Sequence, residues 1–370
     1  MFQTPKPIEA AALFSRYAQL TMPTGALDSL LVPALRIHAQ RAEGSSGALN
    51  CAVLLFAGDH AVARHHGVSA YPPEVTPQMV VNIVRGGAAI SCLARNRKAK
   101  LSVYDVGVAA GFDELLNAAQ SSEIEFIRAN LNHTFPDAGF ESGSRDSTVT
   151  AALTAEAHEH CFNVGAQAAK RVIEESSADF LVLGEMGIGN TTPASAIASV
   201  VLGQPAEQCV GAGTGLNADG IVRKQKVVSQ ILARAEPHVR NSSCSELERA
   251  HAILQHVGGA ELSALAGAAW QAAHMGRFVL LDGLIVTSAV APLALADKTF
   301  RAWLMASHQS AEPIHKSLLV ALGLAPLLDL NLRLGEGSGA ALAAGLIQDA
   351  DCLMREMATF SSAGVSSSGI

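Results

Sequence analysis

The sequence predicts an open, doubly wound α/β fold with a mainly parallel sheet and helices on both faces. Three observations carry this reading. Short apolar runs recur along the chain, each run ends in Gly or Asp, and Ala-rich stretches of helical character lie between them. The runs are AVLLFAGD at 52 to 59, LSVYDVG at 101 to 107, FLVLGEMG at 180 to 187 and FVLLDG at 278 to 283. They are apolar without strict alternation, as strands buried on both faces of a parallel sheet should be. Alternating strand and helix gives crossover connections, and their right-handedness sets helices on both sides of the sheet. Ala151 to Ser176, Gly220 to Ala233 and Gly258 to Met275 predict the intervening helices.

The remaining segments are assigned by exclusion. Residues 1 to 45 hold no strand-like run, and residues 340 to 362 read as one helix with Leu342, Leu346, Leu353, Met354 and Met357 on its apolar positions. The expected organisation is therefore a small helical unit from 1–45 and 340–370 beside a large Rossmann-like unit spanning 46–339. Residues 120 to 148 are polar and broken by Asn130, Asn132, Pro136, Gly139 and Gly143, which predicts a long irregular excursion. Phe278 to Ala296 has the length of a membrane span, but Asp282, Gly283 and Pro292 make a buried strand followed by a helix the better reading.

Composition narrows the function classes. Of 370 residues 49% are hydrophobic and 16% charged, which suits a large close-packed core. The formal net charge is −7 and no long basic run occurs, so a nucleic-acid partner is not expected. The six cysteines are scattered without a CxxC pair, which predicts reduced thiols in a cytoplasmic protein rather than a zinc site or a disulfide framework. The N-terminus lacks the charged and apolar regions of a signal peptide.

Three Gly-rich turns carry candidate chemistry. In LVLGEMGIGNTTPA, Leu181 to Ala194, a turn with Asn190, Thr191 and Thr192 follows a buried strand and precedes a helix. Its backbone amides and the helix start suit an anion, and close packing with an Asn or Thr cap explains it equally well. VGAGTGL, Val210 to Leu216, precedes a helix carrying Arg223, Lys224 and Lys226. RLGEGSGAA, Arg333 to Ala341, holds Glu336 between Gly335 and Gly337 at a helix start. That position should favour ionisation and leave room for a substrate, unless Glu336 merely complements the helix dipole. None of the three matches the full dinucleotide fingerprint or the phosphate loop of nucleotide triphosphatases. In FAGDHAVARHHGVSAYPPEVTPQM, 56 to 79, the residues Asp59, His60, His65 and His66 lack metal-ligand spacing, so no metal is expected. Ser69, Tyr71, Glu74 and Gln78 read as a loop entering a helix, with Thr76 as its cap before Pro77.

Taken together these stretches resemble the nicotinate-nucleotide:dimethylbenzimidazole phosphoribosyltransferase family, which activates the lower ligand of cobalamin. The 56 to 79 segment is joined by VYDVGV, GEMGIGNTT, GAGTGL, VGGAELSALAGA, LLDGLIVTSA, SHQSAEP, LGLAPLLDLNLRLGEGSGAALA and REMATFSSAGVS, in the family's order from about residue 50 to 366. The resemblance implies transfer of 5-phosphoribose from nicotinate mononucleotide to 5,6-dimethylbenzimidazole, giving α-ribazole 5'-phosphate and nicotinate. It implies a homodimer, small-molecule substrates and no cofactor.

Position by position, the resemblance makes Glu336 the catalytic base and puts Ser69 and Gln78 in the pocket for the accepting base. It puts Glu185, Gly187, Asn190, Gly213, Thr214, Gly215, Lys224 and Gly335 around the nucleotide and its phosphate. Ala212, Asn217 and Pro73 depart from common family residues, which leaves the preferred base open between dimethylbenzimidazole, another benzimidazole, adenine and a phenol. A dinucleotide-binding oxidoreductase would require a GxGxxG with a later acidic residue, which these turns lack. A silent metabolite-binding protein would have no need of Glu336.

Overall fold

A computed structural model describes residues 2–42, 45, 47–109, 124–240 and 243–366. Among these residues seven strands form one sheet: β1 (Cys51–Gly58), β2 (Lys100–Gly107), β3 (Glu125–Arg128), β4 (Phe180–Met186), β5 (Phe278–Leu281), β6 (Leu304–Ser310) and β7 (Pro326–Leu332). Their order is β3-β2-β1-β4-β5-β6-β7, and every neighbouring pair is parallel. Every residue of β1 and β4 is buried, which is why both read as continuous apolar runs. The sequence pattern does not reveal β3, β6 and β7. The first is a four-residue edge strand, β6 ends in Ser307, His308, Gln309 and Ser310, and β7 is the other edge, with Asp329, Leu330 and Asn331 exposed. A strand open to solvent on one side does not need the buried-strand composition.

The helices that matter for the site are α1 (Asp28–His38), α2 (Ala61–His66), α3 (Val75–Val84), α4 (Ala89–Asn96), α5 (Ala155–Ser176), α6 (Thr191–Leu202), α7 (Ala218–Val239), α8 (Glu246–Val257), α9 (Ala260–His274), α10 (Leu284–Ala296), α11 (Pro313–Leu322) and α12 (Ser338–Glu356). Local chemistry sets their starts. Thr154 accepts from Ala157 N at 3.1 Å, so α5 begins at Ala155 rather than Ala151. Asn217 accepts from Gly220 N at 2.9 Å and caps α7, so its departure from the family residue keeps a capping oxygen. Ser245 and Glu248 form a capping box at the start of α8. Phe278–Leu281 and Leu284–Ala296 are the strand and helix expected in place of a membrane span, and no helix among the described residues is long and apolar enough to cross a membrane.

Two further expectations are corrected. The irregular segment before residue 148 contributes β3, paired with β2, and then returns over the end of β1, where Ser144 N donates to Asp59 O at 2.8 Å; residues 120–123 lie outside the described residues. The C-terminal helix stops at Glu356 instead of 362. Met357 is extended there, and Thr359 bridges Leu20 of the N-terminal segment. The chain ends are joined further by Arg16, which donates to the carbonyls of Met354 at 2.8 Å and Met357 at 2.5 Å, and by a buried His38–Asp351 contact of 2.7 Å.

Helices cover both faces of the sheet, α9 lying against β4, β1, β2 and β5, and α12 against β6, β4, β5 and β7. Small residues let α5 cross α9 closely. A Cβ on Gly165 would stand 1.8 Å from the Ala264 carbonyl oxygen, and one on Gly267 would stand 1.9 Å from that of Phe162. The approach is backbone to backbone, so no rotamer change can relieve an added side chain. Gly165→Val should therefore force the helices apart and cost at least the roughly 1–3 kcal/mol typical of overpacking, read as a lower urea midpoint with an unchanged slope.

Candidate active site

Strand order reverses between β1 and β4, and in an open α/β sheet the crevice at the carboxyl ends of such strands is where ligands bind. Five connections meet at this end of the sheet: Asp59 and His60 after β1, Gly187 to Asn190 after β4, Asp282 and Gly283 after β5, Ala311 and Glu312 after β6, and Arg333 to Gly337 after β7.

The last connection sets Glu336. Gly335, Glu336 and Gly337 have φ of 82°, 64° and 81°, three successive left-handed residues, of which only Glu336 bears a Cβ. That conformation costs a non-Gly residue about 1–3 kcal/mol. Asp282 supports it. Its Oδ2 accepts from Gly337 N at 3.1 Å and its Oδ1 from Ala340 N at 2.9 Å, so the β5 end caps α12. The turn also lies directly on β4, since a Cβ on Gly184 would stand 2.5 Å from the Glu336 carbonyl oxygen.

Glu336 is 6% exposed, and its Oε2 has no hydrogen-bond partner. Burial pushes the Glu336 pKa up, the Ile90 backbone amide at the start of α4 opposes the shift, and Asp282 adds to it. This corrects the expectation that the helix start would favour ionisation. Desolvation outweighs the dipole because the turn packs against the sheet rather than facing water.

Glu185, at the end of β4, is the second carboxylate. Burial raises its pKa to about 8, Asp282 contributes, and Asn190 works against the shift by donating from Nδ2 to Oε2. Asn190 therefore commits its side chain to Glu185 instead of capping α6. Oε1 of Glu185 would lie 2.6 Å from a Cβ on Gly335, which places Glu185 beside the Glu336 turn. Gly187 crosses the end of β1, where a Cβ would meet the Gly58 carbonyl oxygen at 2.3 Å.

Lys224 is fully buried on α7, and its Nζ donates to Thr191 Oγ1 at 2.7 Å in the first turn of α6. A Cβ on Gly213 would lie 3.6 Å from that Nζ, so the GAGTG turn, Lys224 and the start of α6 come together as a cationic corner. Burial lowers the Lys224 pKa to about 8, and Glu312 opposes that. Thr214 and Gly215 are exposed on the outer side of the turn. Ser69 is half-buried, accepting from Tyr71 N at 3.2 Å, and Gln78 is exposed on α3.

Thr76 does not cap α3, which begins at Val75. It is fully buried and accepts from Ile188 N at 3.0 Å, tying α3 to the turn after β4. The histidines are committed elsewhere: His65 and His66 both approach Asp146 Oδ2, at 3.2 and 2.8 Å, and His60 Nε2 meets Glu261 Oε1 at 2.7 Å. Sequence reasoning does not find Glu261, because nothing local places a carboxylate from the start of α9 under the end of β1. Burial opposes protonation of His60, but Glu261 outweighs it and holds the His60 pKa above its ordinary value.

Buried polar atoms without partners mark the crevice. Besides Glu336 Oε2 they include Asp59 Oδ1 after β1, Thr192 Oγ1 in the first turn of α6, Glu312 Oε2 after β6, Glu261 Oε2 on α9, Ser310 Oγ at the end of β6 and Ser338 Oγ at the start of α12, while four others, on Arg64, Arg97, His160 and Ser199, are not on these connections. Buried polar groups are normally satisfied, so such a concentration is what a polar ligand site should show. A surface cavity of about 520 Å³ lined by His65, His66, Asp219, Arg223 and Lys226 lies on the outside of α2 and α7 and includes none of these atoms.

Comparison with known proteins shows the family and the fold. A family model described as "Phosphoribosyltransferase" matches residues 3–365. The nicotinate-nucleotide–dimethylbenzimidazole phosphoribosyltransferase of Bradyrhizobium sp. (strain BTAi1) is 42% identical over 98% of this chain and 95% of its own. The enzyme of the same name from Pseudomonas putida is 39% identical over 97% and 96%. The crystal structure of the phosphoribosyltransferase of that name from Thermus thermophilus superposes with a TM-score of 0.81 at 36% identity, covering 98% of this chain and all of that one.

The His60–Glu261 pair yields a prediction. Glu261→Ala should leave His60 buried without its partner, where burial holds the imidazole neutral, so the lost contact should cost about 1–3 kcal/mol, and adding His60→Leu should recover part of that loss. Urea denaturation of both single variants and the double variant measures the coupling; strictly additive losses would mean the two groups do not act as a pair.

Proposed function

Because the chain belongs to the nicotinate-nucleotide–dimethylbenzimidazole phosphoribosyltransferase family, we propose that it transfers 5-phosphoribose from nicotinate mononucleotide to 5,6-dimethylbenzimidazole, with Glu336 as the base. The observation that carries the assignment of Glu336 is its geometry: a buried carboxylate with a free oxygen, held in a left-handed turn at the crevice where strand order reverses.

The chemistry asks for such a group. The pyridine nitrogen of nicotinate mononucleotide is cationic, so breaking its bond to the anomeric carbon returns the electron pair to nitrogen and releases a neutral ring without a general acid. One nitrogen of the benzimidazole forms the new bond to that carbon. Positive charge then builds on the accepting ring until its second nitrogen gives up a proton, and Glu336 takes it. A carboxyl whose pKa is raised by burial is a better base once ionised, although it is ionised less often. Glu185, with a pKa of about 8, holds its proton at neutral pH and can donate a hydrogen bond to the substrate.

We assign the phosphate to the corner formed by Lys224, Gly213 and the start of α6, with Gly187, Asn190, Thr214, Gly215 and Gly335 shaping the nucleotide site and Ser69 and Gln78 the rim of the base pocket. Its distance from the reacting bond lets phosphate binding hold the sugar in line for attack. The same proposal includes a homodimer working in the cytoplasm, with residues 1–45 and 340–370 as a helical unit beside residues 46–339. The Arg16 and His38 contacts support that grouping, and α12 makes the unit continuous with the cover of the sheet.

Glu336→Gln preserves size but cannot accept the proton, and single-turnover formation of the ribotide should fall about 10²- to 10⁴-fold with both substrates still bound by calorimetry. Retention of more than about a tenth of the rate would make Glu336 structural. In the wild type, kcat/KM should fall as pH drops through the raised pKa of Glu336, because only the ionised form accepts a proton. Lys224→Ala should weaken nicotinate mononucleotide binding by about 1.5–3 kcal/mol and leave dimethylbenzimidazole binding unchanged.

A further inference from the structure

We propose that Glu312 is a positioning residue of the phosphate corner, holding the Gly213 turn in place and keeping the buried Lys224 charged. The inference rests on the phosphate assignment made above and assigns a role to the SAEP stretch that follows β6.

Glu312 Oε1 accepts from Gly213 N at 2.8 Å, which fixes the centre of a turn that otherwise opens to solvent at Thr214 and Gly215. The contact is built into the sequence on the other side. A Cβ on Gly211 would stand 2.1 Å from Glu312 Oε2 and 2.9 Å from its Cδ, so the carboxylate occupies the space that a side chain at 211 would fill. Oε2 is buried without a partner, so it keeps its acceptor capacity. Glu312 stands at the entry to α11, followed by Pro313 at the first helical position, and it does not cap that helix. Its side chain is therefore free to serve the turn.

The second function follows from the burial of Lys224. Its Nζ donates to the neutral Thr191 hydroxyl, and an ammonium in such a place loses its proton readily. Several elements pack around α7. From them come Arg64, His65 and His66 of α2, Glu207 of the short helix Ala206–Cys209, and Glu246, Glu248, Arg249, His251 and His256 of α8. On α7 itself Asp219, Arg223 and Lys226 line the outer cavity. Gly213 links the two groups, since its amide donates to Glu312 and a Cβ on it would lie 3.6 Å from Lys224 Nζ, and across it Glu312 works against the burial that lowers the Lys224 pKa to about 8. A phosphate site that depends on one buried lysine needs a nearby anion to keep it protonated before substrate arrives, and the same anion is placed to shape the turn.

Two variants separate the functions. Glu312→Gln is isosteric, keeps an acceptor for Gly213 N and removes the charge; Glu312→Ala removes both. For Glu312→Gln the alkaline limb of kcat/KM for nicotinate mononucleotide should move to lower pH, with kcat and the KM for dimethylbenzimidazole within about twofold of wild type. Glu312→Ala should raise the KM for nicotinate mononucleotide about tenfold or more across the pH range, the loss expected of a hydrogen bond to a charged group. Nicotinate riboside, which lacks the phosphate, should be used equally by wild type and Glu312→Gln. An unmoved alkaline limb in Glu312→Gln, or an equal loss with the riboside, overturns the proposal, and because that variant is isosteric the outcome does not depend on Glu312→Ala folding. Calorimetric binding of inorganic phosphate to wild type and Glu312→Gln at pH 7 and 9 reads the same role without turnover. Failure of wild type to make the ribotide would count against the proposed reaction, and unchanged phosphate binding would count against Glu312.

Discussion

The contact of the Gly335–Gly337 turn with Gly184 is the constraint on which the arrangement of the site depends. Backbone meets backbone there, so the position of Glu336 is set by the middle of the sheet and not by a flexible side chain. Asp282 completes the constraint by accepting from two amides at the start of α12. A left-handed glutamate would relax if its neighbours allowed it. Between two glycines, pressed on β4 and capped from β5, it cannot.

The same packing explains the electrostatics. Glu185, Asp282 and Glu336 lie close enough for Asp282 to push up the pKa of both glutamates, and burial does more than either charge. Glu261 is balanced by His60 beneath the end of β1, while Lys224 and Glu312 oppose each other across the corner after β4 and β6. The crevice is thus divided into a carboxyl-rich side, suited to accepting a proton from a ring that becomes cationic, and a corner with an ammonium suited to a phosphate. Keeping the groups apart matters, because a lysine beside Glu336 would pull its pKa down and weaken it as a base.

Legibility followed solvent exposure and local order. β1, β2, β4 and β5 were readable because each is almost wholly buried, and a doubly buried strand has no choice but an apolar run. The sheet edges were not, since β3 is short and β7 carries Asp329 and Asn331 to solvent. Glu336 could be found because glycines flank it within three residues, and the turns after β4 and before α7 because Gly, Asn and Thr cluster there. Thr76 looks like a cap from its neighbours, and only Ile188, 112 residues away, shows what it does. Glu261 and Glu312 carry no local signal of their roles, because their partners His60 and Gly213 are 201 and 99 residues distant.

The sequence by itself determined the α/β class, the Gly-rich turns and, through their order along the chain, the family. These are properties of short stretches, written in hydrophobic pattern and turn chemistry that each stretch must satisfy on its own. Tertiary structure alone decided which carboxylates share the crevice, which way their pKa values move, and how Lys224 is buried. Glu336 at a helix start reads as an ionised carboxylate, and it becomes a desolvated one because the turn that carries it folds onto β4, a strand some 150 residues earlier. Desolvation is a property of the space around a group, and that space is filled by segments from the whole length of the chain.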